Sequence, residues 1–579
     1  MYVLGVNVAE NPSACLIAGD GRTVATSEQH QDGDPSVVRT DLLGRTFCRV
    51  PVRAVAACLD SVGVELDDLD LVVLCGEVVH TPRAQPRNLS VADCMLQLPW
   101  SPRSRIHTID HHLAHACSAF YPSGFDDASI LVVDRGGCVA TQAHEASAPA
   151  PATRLSVPPP RVRASAYRAH GGAPRRVFAV EDRHDVPGLA VNSLGAMVEL
   201  FAQAIGCVDL VGLMDLATRG SDRLRRELER HFELTPGGYQ ISPAVQPEGL
   251  ALTPGLLAQS FNVPAGVAAP ACADAAWAVG DLLQRVTTHL AMQLVERTGA
   301  RKLCVAGDAA VHGLARLDPR QAPWIDQLYV PPAAGEVGTA VGAALFGWCE
   351  IFGAPPPCEL ENAFRGRPYR EAEIMAAIEQ HGVARPVRWR RPQGEVLDEV
   401  ADLLAGGALV AWFDGGAELG EPLDRRCVLA SPCRVPLAPR LDAGLLRESF
   451  RALTAVVPVE DAEDYFDLGG RSPFAHRVAR VVRDRTREIP LVVRSDGTSR
   501  VQTVDSWRAP RLHDLIHRFQ RRAGPPVLAS APLRQIGGPA VESPRDALCL
   551  WERAELDAIF LQGHLLVRST EHRMTGDES

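Results

Sequence analysis

Three histidines lie within five positions of the stretch IDHHLAHACSAF, which covers residues 109–120. His111 and His115 are four residues apart, so a helix places both imidazoles on one face, about one turn apart. This spacing allows two imidazoles to bind one metal ion. His112 points about 100° away on a helix and is not predicted to be a ligand. The spacing alone also fits a helix that merely carries polar residues at its end.

A metal site needs further ligands, and two carboxylates stand where a fold could supply them. Asp134 ends the apolar segment SILVVDRGG, at the kind of strand end where α/β sheets expose functional groups. A strand-end aspartate is also a common helix cap. Glu336 lies in the turn of AAGEVGTAVGAALF, where Gly335 and Gly338 allow close backbone approach. The helix that follows offers free N–H groups to an anion, although tight helix packing would use the same glycines.

A second glycine turn, VAGDAAVHG, runs through Gly307 and Asp308 between a predicted strand and a predicted helix. Its pattern fits a nucleotide-binding loop and a plain packing turn equally well. The elements that must position all these residues alternate between apolar strands, such as YVLGVNVA and LDLVVLCG, and helices such as AAWAVGDLLQRVTTHLAMQLVERTG. This alternation indicates an α/β architecture. No internal repeat at a fixed period is apparent.

Length and local composition predict the domain organisation. With 579 residues, the chain is too long for one ordinary domain. Residues 147–176 are rich in Pro, Ala and Arg, which predicts a loop or a partly disordered insertion. Proline enrichment recurs near residue 355. We therefore expect a first domain at 1–355, a linker at 356–370 and a second α/β domain at 371–579.

Charge and cysteine usage restrict the class of protein. The net charge of −11, from 59 basic and 70 acidic residues, disfavours a nucleic-acid or anionic-membrane partner. The 15 cysteines form no CxxC pair, which is typical of reduced thiols. No apolar run approaches the ~18 residues of a membrane span, and the N-terminus lacks a signal-peptide pattern. We expect a cytoplasmic protein without nucleic-acid or membrane partners, which could form a homodimer.

The order of the motifs along the chain is more specific than any one of them. A strand pair, HHLAHA, a strand ending in VD, the VAG turn and PPAAGEVGTAVGAAL follow one another. This order resembles the actin-like domain (sugar kinase/Hsp70 superfamily, TsaD-like) of the carbamoyltransferase family, which includes nodulation protein U, cephem carbamoyltransferase and tobramycin carbamoyltransferase. The later segments FDGGAELG, RRCVLASP, YFDL and SDGTSRVQTV follow the order of that family's YrdC-like domain. The resemblance covers essentially the whole chain.

The resemblance implies two reaction sites. In the C-terminal domain, carbamoyl phosphate and ATP (with Mg) would join into carbamoyl-adenylate, with release of phosphate and pyrophosphate. In the N-terminal domain, a divalent metal ion would assist transfer of the carbamoyl group to a hydroxyl or amine of a small-molecule natural product. Fe(II) is implied, and Mn(II) or Zn(II) would also suit two imidazoles and two carboxylates.

The family's motifs assign roles to individual positions. The implied metal ligands are His111, His115, Asp134 and Glu336. The implied catalytic residues are Arg426, Arg451 and Arg500. The implied nucleotide-binding residues are Gly307, Asp308, Gly335, Gly338, Glu418, Asp496 and Thr498.

Several positions depart from the family pattern where chemistry is expected. In the first domain Glu336 replaces an aspartate, Asp215 replaces a glycine and His312 replaces an asparagine, while Glu10-Asn11 replaces a His-Asp pair. In the second domain the run ELGEPLDRRCVL has lost its first arginine, Leu446 replaces a lysine and Arg494 replaces a histidine. Binding of phosphate groups needs several cations and donors, so these losses bear on adenylate formation.

Three hypotheses follow from this pattern. The first is an active ATP-dependent carbamoyltransferase. The second is a degenerate, non-catalytic paralogue that acts as a binding or regulatory partner, because nucleotide-loop residues are substituted. The third is transfer by the N-terminal domain from a donor made elsewhere, because the metal set persists while residues of the activation site are lost.

Overall fold

The computed structural model describes most of the chain, with several gaps. The described residues are 1–8, 11–27, 39–40, 46–47, 50–75, 105–139, 161–181, 192–242, 270–357, 366, 368–381, 387–390, 393–419, 425–445, 451–534 and 541–568.

The N-terminal part, up to residue 357, contains fourteen strands among its described residues. These are β1 (Tyr2–Asn7), β2 (Ser13–Ala18), β3 (Thr23–Ser27), β4 (Arg39–Thr40), β5 (Thr46–Phe47), β6 (Leu71–Cys75), β7 (Arg105–Ile109), β8 (Asp127–Val139), β9 (Arg161–His170), β10 (Arg175–Glu181), β11 (Phe232–Thr235), β12 (Gly238–Ile241), β13 (Lys302–Ala306) and β14 (Gln327–Tyr329). The described helices are α1 (Val52–Val62), α2 (His111–Phe120), α3 (Leu194–Ala204), α4 (Leu210–Ala217), α5 (Arg225–Glu229), α6 (Pro270–Thr298), α7 (Asp308–Leu314) and α8 (Thr339–Phe346).

Two five-stranded sheets of this part share one topology. The first has the order β3-β2-β1-β6-β7 and the second β10-β9-β8-β13-β14. In each sheet the first three strands are antiparallel and the last three are parallel. The N-terminal part is therefore a topological duplication, which the sequence, lacking a repeat of fixed period, did not reveal. The predicted α/β architecture is confirmed.

Five layers result from the way the apolar faces are buried. Helix α1 packs on the outer face of the first sheet. Helices α2 and α8 fill the space between the two sheets, and helices α3, α4, α6 and α7 cover the outer face of the second. The two central helices approach closely, because a Cβ added at Gly342 of α8 would lie 1.8 Å from the carbonyl oxygen of Ala114 in α2. Both helices are consequently held rigidly between two sheets.

The C-terminal part is built on one ten-stranded sheet with the order β15-β24-β23-β16-β17-β22-β18-β21-β20-β19. Its strands are β15 (Val387–Arg390), β16 (Val410–Phe413), β17 (Arg426–Ala430), β18 (Thr454–Pro458), β19 (Phe466–Asp467), β20 (Arg477–Val481), β21 (Thr498–Val504), β22 (Leu528–Pro532), β23 (Ala558–Leu561) and β24 (His564–Arg568). The described helices are α9 (Glu371–His381), α10 (Gln393–Gly406), α11 (Leu437–Leu445), α12 (Ala462–Tyr465), α13 (Pro510–Ala523) and α14 (Pro544–Arg553). A separate apolar cluster packs on each face of the sheet.

One prediction from composition is wrong over part of its range. Residues 147–176 were expected to form a loop, but Arg161–His170 forms β9, which pairs with β8 and is buried over most of its length. Val162, Ala164 and Ala166 alternate with Arg163, Ser165 and Tyr167, and this period of two indicates a strand although prolines directly precede it. Residues 147–160 lie outside the described residues. Within the described ranges, no helix is both long enough and apolar enough to cross a bilayer.

Candidate functional site

The two histidines of the predicted metal pair lie in the first two turns of α2. The helix begins directly after β7, and the carboxylate of its N-cap residue, Asp110, accepts a hydrogen bond from the Leu113 N–H at 3.0 Å. This cap satisfies an otherwise unpaired helix N–H and so places the start of the helix. His111 and His115 are both buried between the two sheets, where an imidazole needs a polar partner or a ligand.

The two predicted carboxylates reach the same place from different elements. Asp134 lies within β8, which continues to Val139, and not at a strand end as the sequence predicted; it lies next to α2 and is buried. Glu336 lies in a one-turn helix before α8. The Asn7 side-chain amide donates to the Glu336 carbonyl oxygen at 3.1 Å, and the Thr339 hydroxyl donates to the same oxygen at 2.7 Å. Strand β1 and helix α8 thereby hold the Glu336 backbone in position.

These four side chains place their donor atoms within 4.8 Å of one another. His111 Nε2 lies 3.0 Å from Asp134 Oδ2 and 3.4 Å from Glu336 Oε2, and His115 Nε2 lies 3.8 Å and 4.0 Å from the same two carboxylates. Two donors that each lie about 2.1 Å from a common ion are separated by about 2.9 to 4.2 Å, depending on the angle. All four distances fall within that range.

The environment of His115 also fits a metal ligand. Within the described residues neither of its ring nitrogens has a hydrogen-bond partner, although the side chain is fully buried. Such an unsatisfied buried polar atom costs stability unless a ligand occupies it. Burial and the neighbouring His111 lower the pKa of His115 to about 4, so its imidazole is neutral and presents a lone pair at neutral pH. The donor set therefore fits a divalent ion.

Electrostatics distinguish the remaining members of the set. Burial alone would lower the pKa of His111, but the Glu336 carboxylate and the hydrogen bond to Asp134 outweigh it and raise this pKa well above its usual value. Burial alone would raise the pKa of Asp134, but His112 and His111 hold it well below its usual range. The cluster is thus a pair of carboxylates opposite imidazoles, an arrangement suited to holding positive charge.

His112, which the sequence did not predict to be a ligand, lies beside the cluster and contacts Ser165 and Asp134. Its Nδ1 lies 2.7 Å from the Ser165 hydroxyl on β9, and its Nε2 lies 3.3 Å from Asp134 Oδ2. His112 thereby orients the Asp134 carboxylate from behind, as residues that support metal ligands commonly do. The sequence did not identify Ser165, because that residue fell in the stretch predicted to be a loop. The alternation in VRASAY was the signal that could have found it.

A cavity of about 340 Å³ opens beside this cluster, between the N-terminal and C-terminal parts. The N-terminal part contributes Asp308, Gly335 and Glu336 among the sequence-predicted residues, and the C-terminal part contributes Arg451 and Arg500. Four residues that the sequence had marked only as departures from the family pattern also line it: Asn11, Asp215, His312 and Arg494. The cavity thus joins one metal-candidate carboxylate to predicted catalytic arginines.

Two of the predicted glycines hold backbone contacts instead of lining the cavity. Gly307 has a φ of +86°, and a Cβ there would lie 2.3 Å from the Val133 carbonyl oxygen of β8. A Cβ at Gly338 would lie 1.9 Å from the Ala333 carbonyl oxygen. The sequence left open whether these glycines bind a nucleotide or allow close packing. Their observed contacts are those of close packing.

Arg426 and Glu418 also lie apart from the residues that line the cavity. The Arg426 guanidinium stacks 3.4 Å from the centre of the Phe413 ring and donates to the Gly415 carbonyl oxygen at 2.8 Å. Burial lowers its pKa. Glu418 accepts the Arg425 backbone N–H at 2.8 Å. These contacts are those of residues that hold strand β17 and the segment before it in place.

Asp496 and Thr498 connect the two parts of the chain. The Thr498 hydroxyl and N–H donate to Asp496 Oδ1 at 2.6 and 3.1 Å. Asp496 Oδ2 accepts from Arg316 of the N-terminal part at 2.5 Å. Arg316 and the Thr498 hydrogen bonds lower the pKa of Asp496 against the opposing effect of burial. Among the described residues, this pair contributes a contact at the edge of the cavity.

Two further ion pairs hold α4 against the C-terminal part, and the sequence predicted neither. Arg451 Nη2 lies 2.6 Å from Asp209, the N-cap of α4, and Arg494 Nη2 lies 2.5 Å from Asp215 near its end. The Ala452 N–H also donates to Asp215 at 3.0 Å. Burial alone would raise the pKa of Asp209, but Arg451 lowers it below its usual value. Two cavity arginines are therefore paired with carboxylates of the N-terminal part.

Comparison with known proteins gives matches along most of the chain. Residues 89–345 match the family model described as carbamoyltransferase N-terminus, and residues 401–568 match carbamoyltransferase C-terminus. Nodulation protein NolNO of Sinorhizobium fredii is 25% identical over 97% of this chain and 80% of that protein. Nodulation protein NolO of Bradyrhizobium diazoefficiens is 27% identical over 79% of each. Among solved structures, T. kodakarensis HypF covers 61% of this chain and 48% of its own, at 12% identity and a TM-score of 0.34.

Proposed function

Because the chain belongs to the carbamoyltransferase family, we propose that it transfers a carbamoyl group to a hydroxyl or amine of a small molecule. The proposed donor is carbamoyl-adenylate, made from carbamoyl phosphate and Mg-ATP in the C-terminal part. The observation that carries this proposal is the shared cavity, since Glu336 of the metal-candidate cluster and the arginines of the second part line the same space. A donor made beside those arginines would meet an acceptor there without release.

The residues of the chain have distinct proposed roles in that space. Arg500 and Arg534 line the cavity and supply positive charge for phosphate oxygens. Burial and the nearby Arg500 lower the pKa of His312 to about 3, so its imidazole stays neutral and can accept or donate a hydrogen bond without repelling an acceptor amine. A divalent ion held by His111, His115, Asp134 and Glu336 would polarise the carbamoyl carbonyl oxygen.

We extend the proposal to the domains. The N-terminal part, proposed to end near residue 355, would be an actin-like domain, and the duplicated five-stranded sheet supports that assignment. The part after residue 371 would be a YrdC-like domain that forms the adenylate. Fe(II) is the proposed metal, because the implied family chemistry uses an iron-type ion and the four donors suit it.

The proposal is tested by incubating the purified protein with carbamoyl phosphate, Mg-ATP and a panel of hydroxyl and amine acceptors. Pyrophosphate release, measured by a coupled assay, and carbamate formation, measured by mass spectrometry, are expected. The Arg500→Ala variant should lose pyrophosphate release, whereas His115→Ala should retain it and lose carbamate formation. The absence of pyrophosphate with every acceptor would contradict the proposed activation step.

A second candidate function has its own structural support. Arg451 and Arg494 are paired with Asp209 and Asp215, and Arg426 packs away from the cavity, so fewer cations face a phosphate substrate. This arrangement favours a protein that takes its carbamoyl donor from elsewhere or acts only as a binding partner. Calorimetry with Mg-ATP separates the candidates, because tight ATP binding contradicts both versions of the second. Transfer from added carbamoyl-adenylate by the wild-type protein, without pyrophosphate release from carbamoyl phosphate and Mg-ATP, would support the donor-accepting version.

A further inference from the structure

A second cluster of donor atoms lies in the C-terminal part, away from the cavity. Glu460 follows strand β18, while His513 and His517 lie one turn apart on α13, which follows β21. Strands β18 and β21 are parallel neighbours. The cavity-lining residues Thr454 and Arg500 lie toward the amino-terminal ends of these strands, whereas the cluster follows their carboxyl ends. The cluster is therefore separate from the proposed reaction site.

The geometry of the cluster brings two imidazoles to one carboxylate oxygen. His513 Nε2 lies 2.7 Å and His517 Nε2 lies 3.3 Å from Glu460 Oε1. The two imidazole rings are 4.7 Å apart between centroids, and the three donor atoms lie within 4.8 Å of one another. Donors at about 2.1 Å from one ion are separated by about 3.4 Å in tetrahedral geometry. The Glu460 side chain is 49% exposed, and a small rotation of it would lengthen the 2.7 Å distance between His513 Nε2 and Glu460 Oε1 toward that separation.

One tautomer of His517 leaves its Nε2 free to bind a cation beside the carboxylate. Its Nδ1 lies 3.4 Å from the Gln520 amide oxygen, and in this tautomer Nδ1 carries the proton and donates to that oxygen. With the proton on Nδ1, Nε2 presents a lone pair toward Glu460. A second proton or a metal ion must then lie between these two electron-rich atoms. Donation of Nδ1–H to a neighbouring oxygen is also the usual support of a metal-bound histidine.

The charges around the cluster favour a cation as well. Two arginines of α13 face α10 instead, where Arg518 pairs with Asp398 and Arg522 pairs with Asp402. Asp461, next to Glu460, has one carboxylate oxygen that is buried without a hydrogen-bond partner among the described residues. Two consecutive carboxylates, Glu460 and Asp461, thus lie beside the two imidazoles.

We propose that Glu460, His513 and His517 bind a divalent cation of the borderline class, with Zn²⁺ as its representative and water completing the coordination. Two imidazoles and one carboxylate are a donor set that such ions prefer. The bound ion would tie α13 to the segment after β18 and so stabilise the far side of the ten-stranded sheet. This inference stands independently of the proposed carbamoyl transfer.

The test is Zn²⁺ titration of the full chain, purified without a polyhistidine tag, against a chromophoric competing chelator. In the His111→Ala/His115→Ala background, which removes the first candidate centre, one equivalent of Zn²⁺ should still bind. Adding His513→Ala/His517→Ala should abolish that equivalent, and Glu460→Gln should weaken it by at least about tenfold. His170→Ala is the matched control, because His170 is an exposed histidine 3.6 Å from a single carboxylate, Asp127.

Each possible result of the titration either supports or overturns the proposal. No Zn²⁺ bound in the first background, or an equal stoichiometry after His513→Ala/His517→Ala, would overturn the proposal. If His111→Ala/His115→Ala prevents folding, His513→Ala/His517→Ala is introduced into the wild-type chain instead. That variant should bind one equivalent of Zn²⁺ fewer than the wild-type chain. With Co²⁺ in place of Zn²⁺, a visible absorption band that disappears in the His513→Ala/His517→Ala variant would support binding by these imidazoles.

Discussion

Asp215 and Arg494 form a buried ion pair between the N-terminal and C-terminal parts, although 279 residues separate them in the chain. In the sequence each is a separate departure from the family pattern, where a glycine and a histidine are expected. In the structure each supplies the counter-charge that the other needs, since a lone charge at such a buried position would be strongly unfavourable. Two apparent losses of function are therefore one coupled change at the cavity.

We predict that removing either member of this pair destabilises the contact between the two parts. Arg494→Ala or Asp215→Ala should each lower the free energy of unfolding by about 3–5 kcal/mol, because the remaining charge stays buried and unpaired. The double variant should lose less than the sum of the two single variants. Urea denaturation of the complete double-mutant cycle measures this coupling.

The exposed pair Asp20–Arg22 provides the control for that cycle. Both side chains are more than half exposed, so Arg22→Ala should leave the free energy of unfolding nearly unchanged. Additive effects at Asp215 and Arg494 would show that the pair does not couple the two parts.

We predict that metal content depends on His115. In the His513→Ala/His517→Ala background, His115→Ala should remove the remaining metal equivalent, because His115 has two buried ring nitrogens without hydrogen-bond partners among the described residues. Ser165→Ala should weaken metal affinity by about 10- to 100-fold, since Ser165 acts through His112 on the Asp134 carboxylate. Metal analysis of proteins reconstituted with Fe(II), Mn(II) or Zn(II) checks both. Equal metal content in the His115→Ala variant would refute the assignment.

We predict that Gly342 is required for the packing of α8 on α2. In Gly342→Ala, the new methyl group would meet the Ala114 carbonyl oxygen at 1.8 Å, so the helices must separate. The expected loss is about 1–3 kcal/mol of folding free energy, with a shift of Glu336 relative to His115. Thermal unfolding with and without metal measures both effects. Gly406→Ala is the control, because a Cβ there meets nothing within 4 Å, and it should leave stability nearly unchanged.

We predict a pH-dependent stability contribution from His312, whose pKa is lowered from 6.5 to about 3. Between these values the unfolded chain binds more protons than the folded protein, so stability falls as the pH drops through this window. The contribution is at most about 1.4 kcal/mol per pH unit. His312→Asn removes the titrating group and should flatten the profile between pH 6.5 and 4. Denaturant unfolding at several pH values gives the slopes, and identical slopes in the two proteins would contradict this prediction.

Much of the candidate metal centre was predictable because its signals are local. The spacing of His111 and His115, the position of Asp134 after the apolar run SILVV and the glycine turn around Glu336 are all visible in short stretches, and the structure brings the four together. Strand β9 was missed because it directly follows a run of prolines and carries three arginines, a composition that resembles a loop. Arg426 was selected from its motif, but its contacts with Phe413 and backbone carbonyls became visible only once the surrounding sheet was placed.

The sequence by itself determined the alternation of strands and helices, the metal-candidate residues and the family resemblance, because each depends on residue type and spacing within a short window. Only the tertiary structure decided which distant residues meet. It paired Asp215 with Arg494, set His112 behind Asp134 and brought Glu460 to His513 and His517. The order of the strands and the packing of the helices determine which distant residues meet. The type and position of one charged residue in the sequence do not identify the residue that will pair with it.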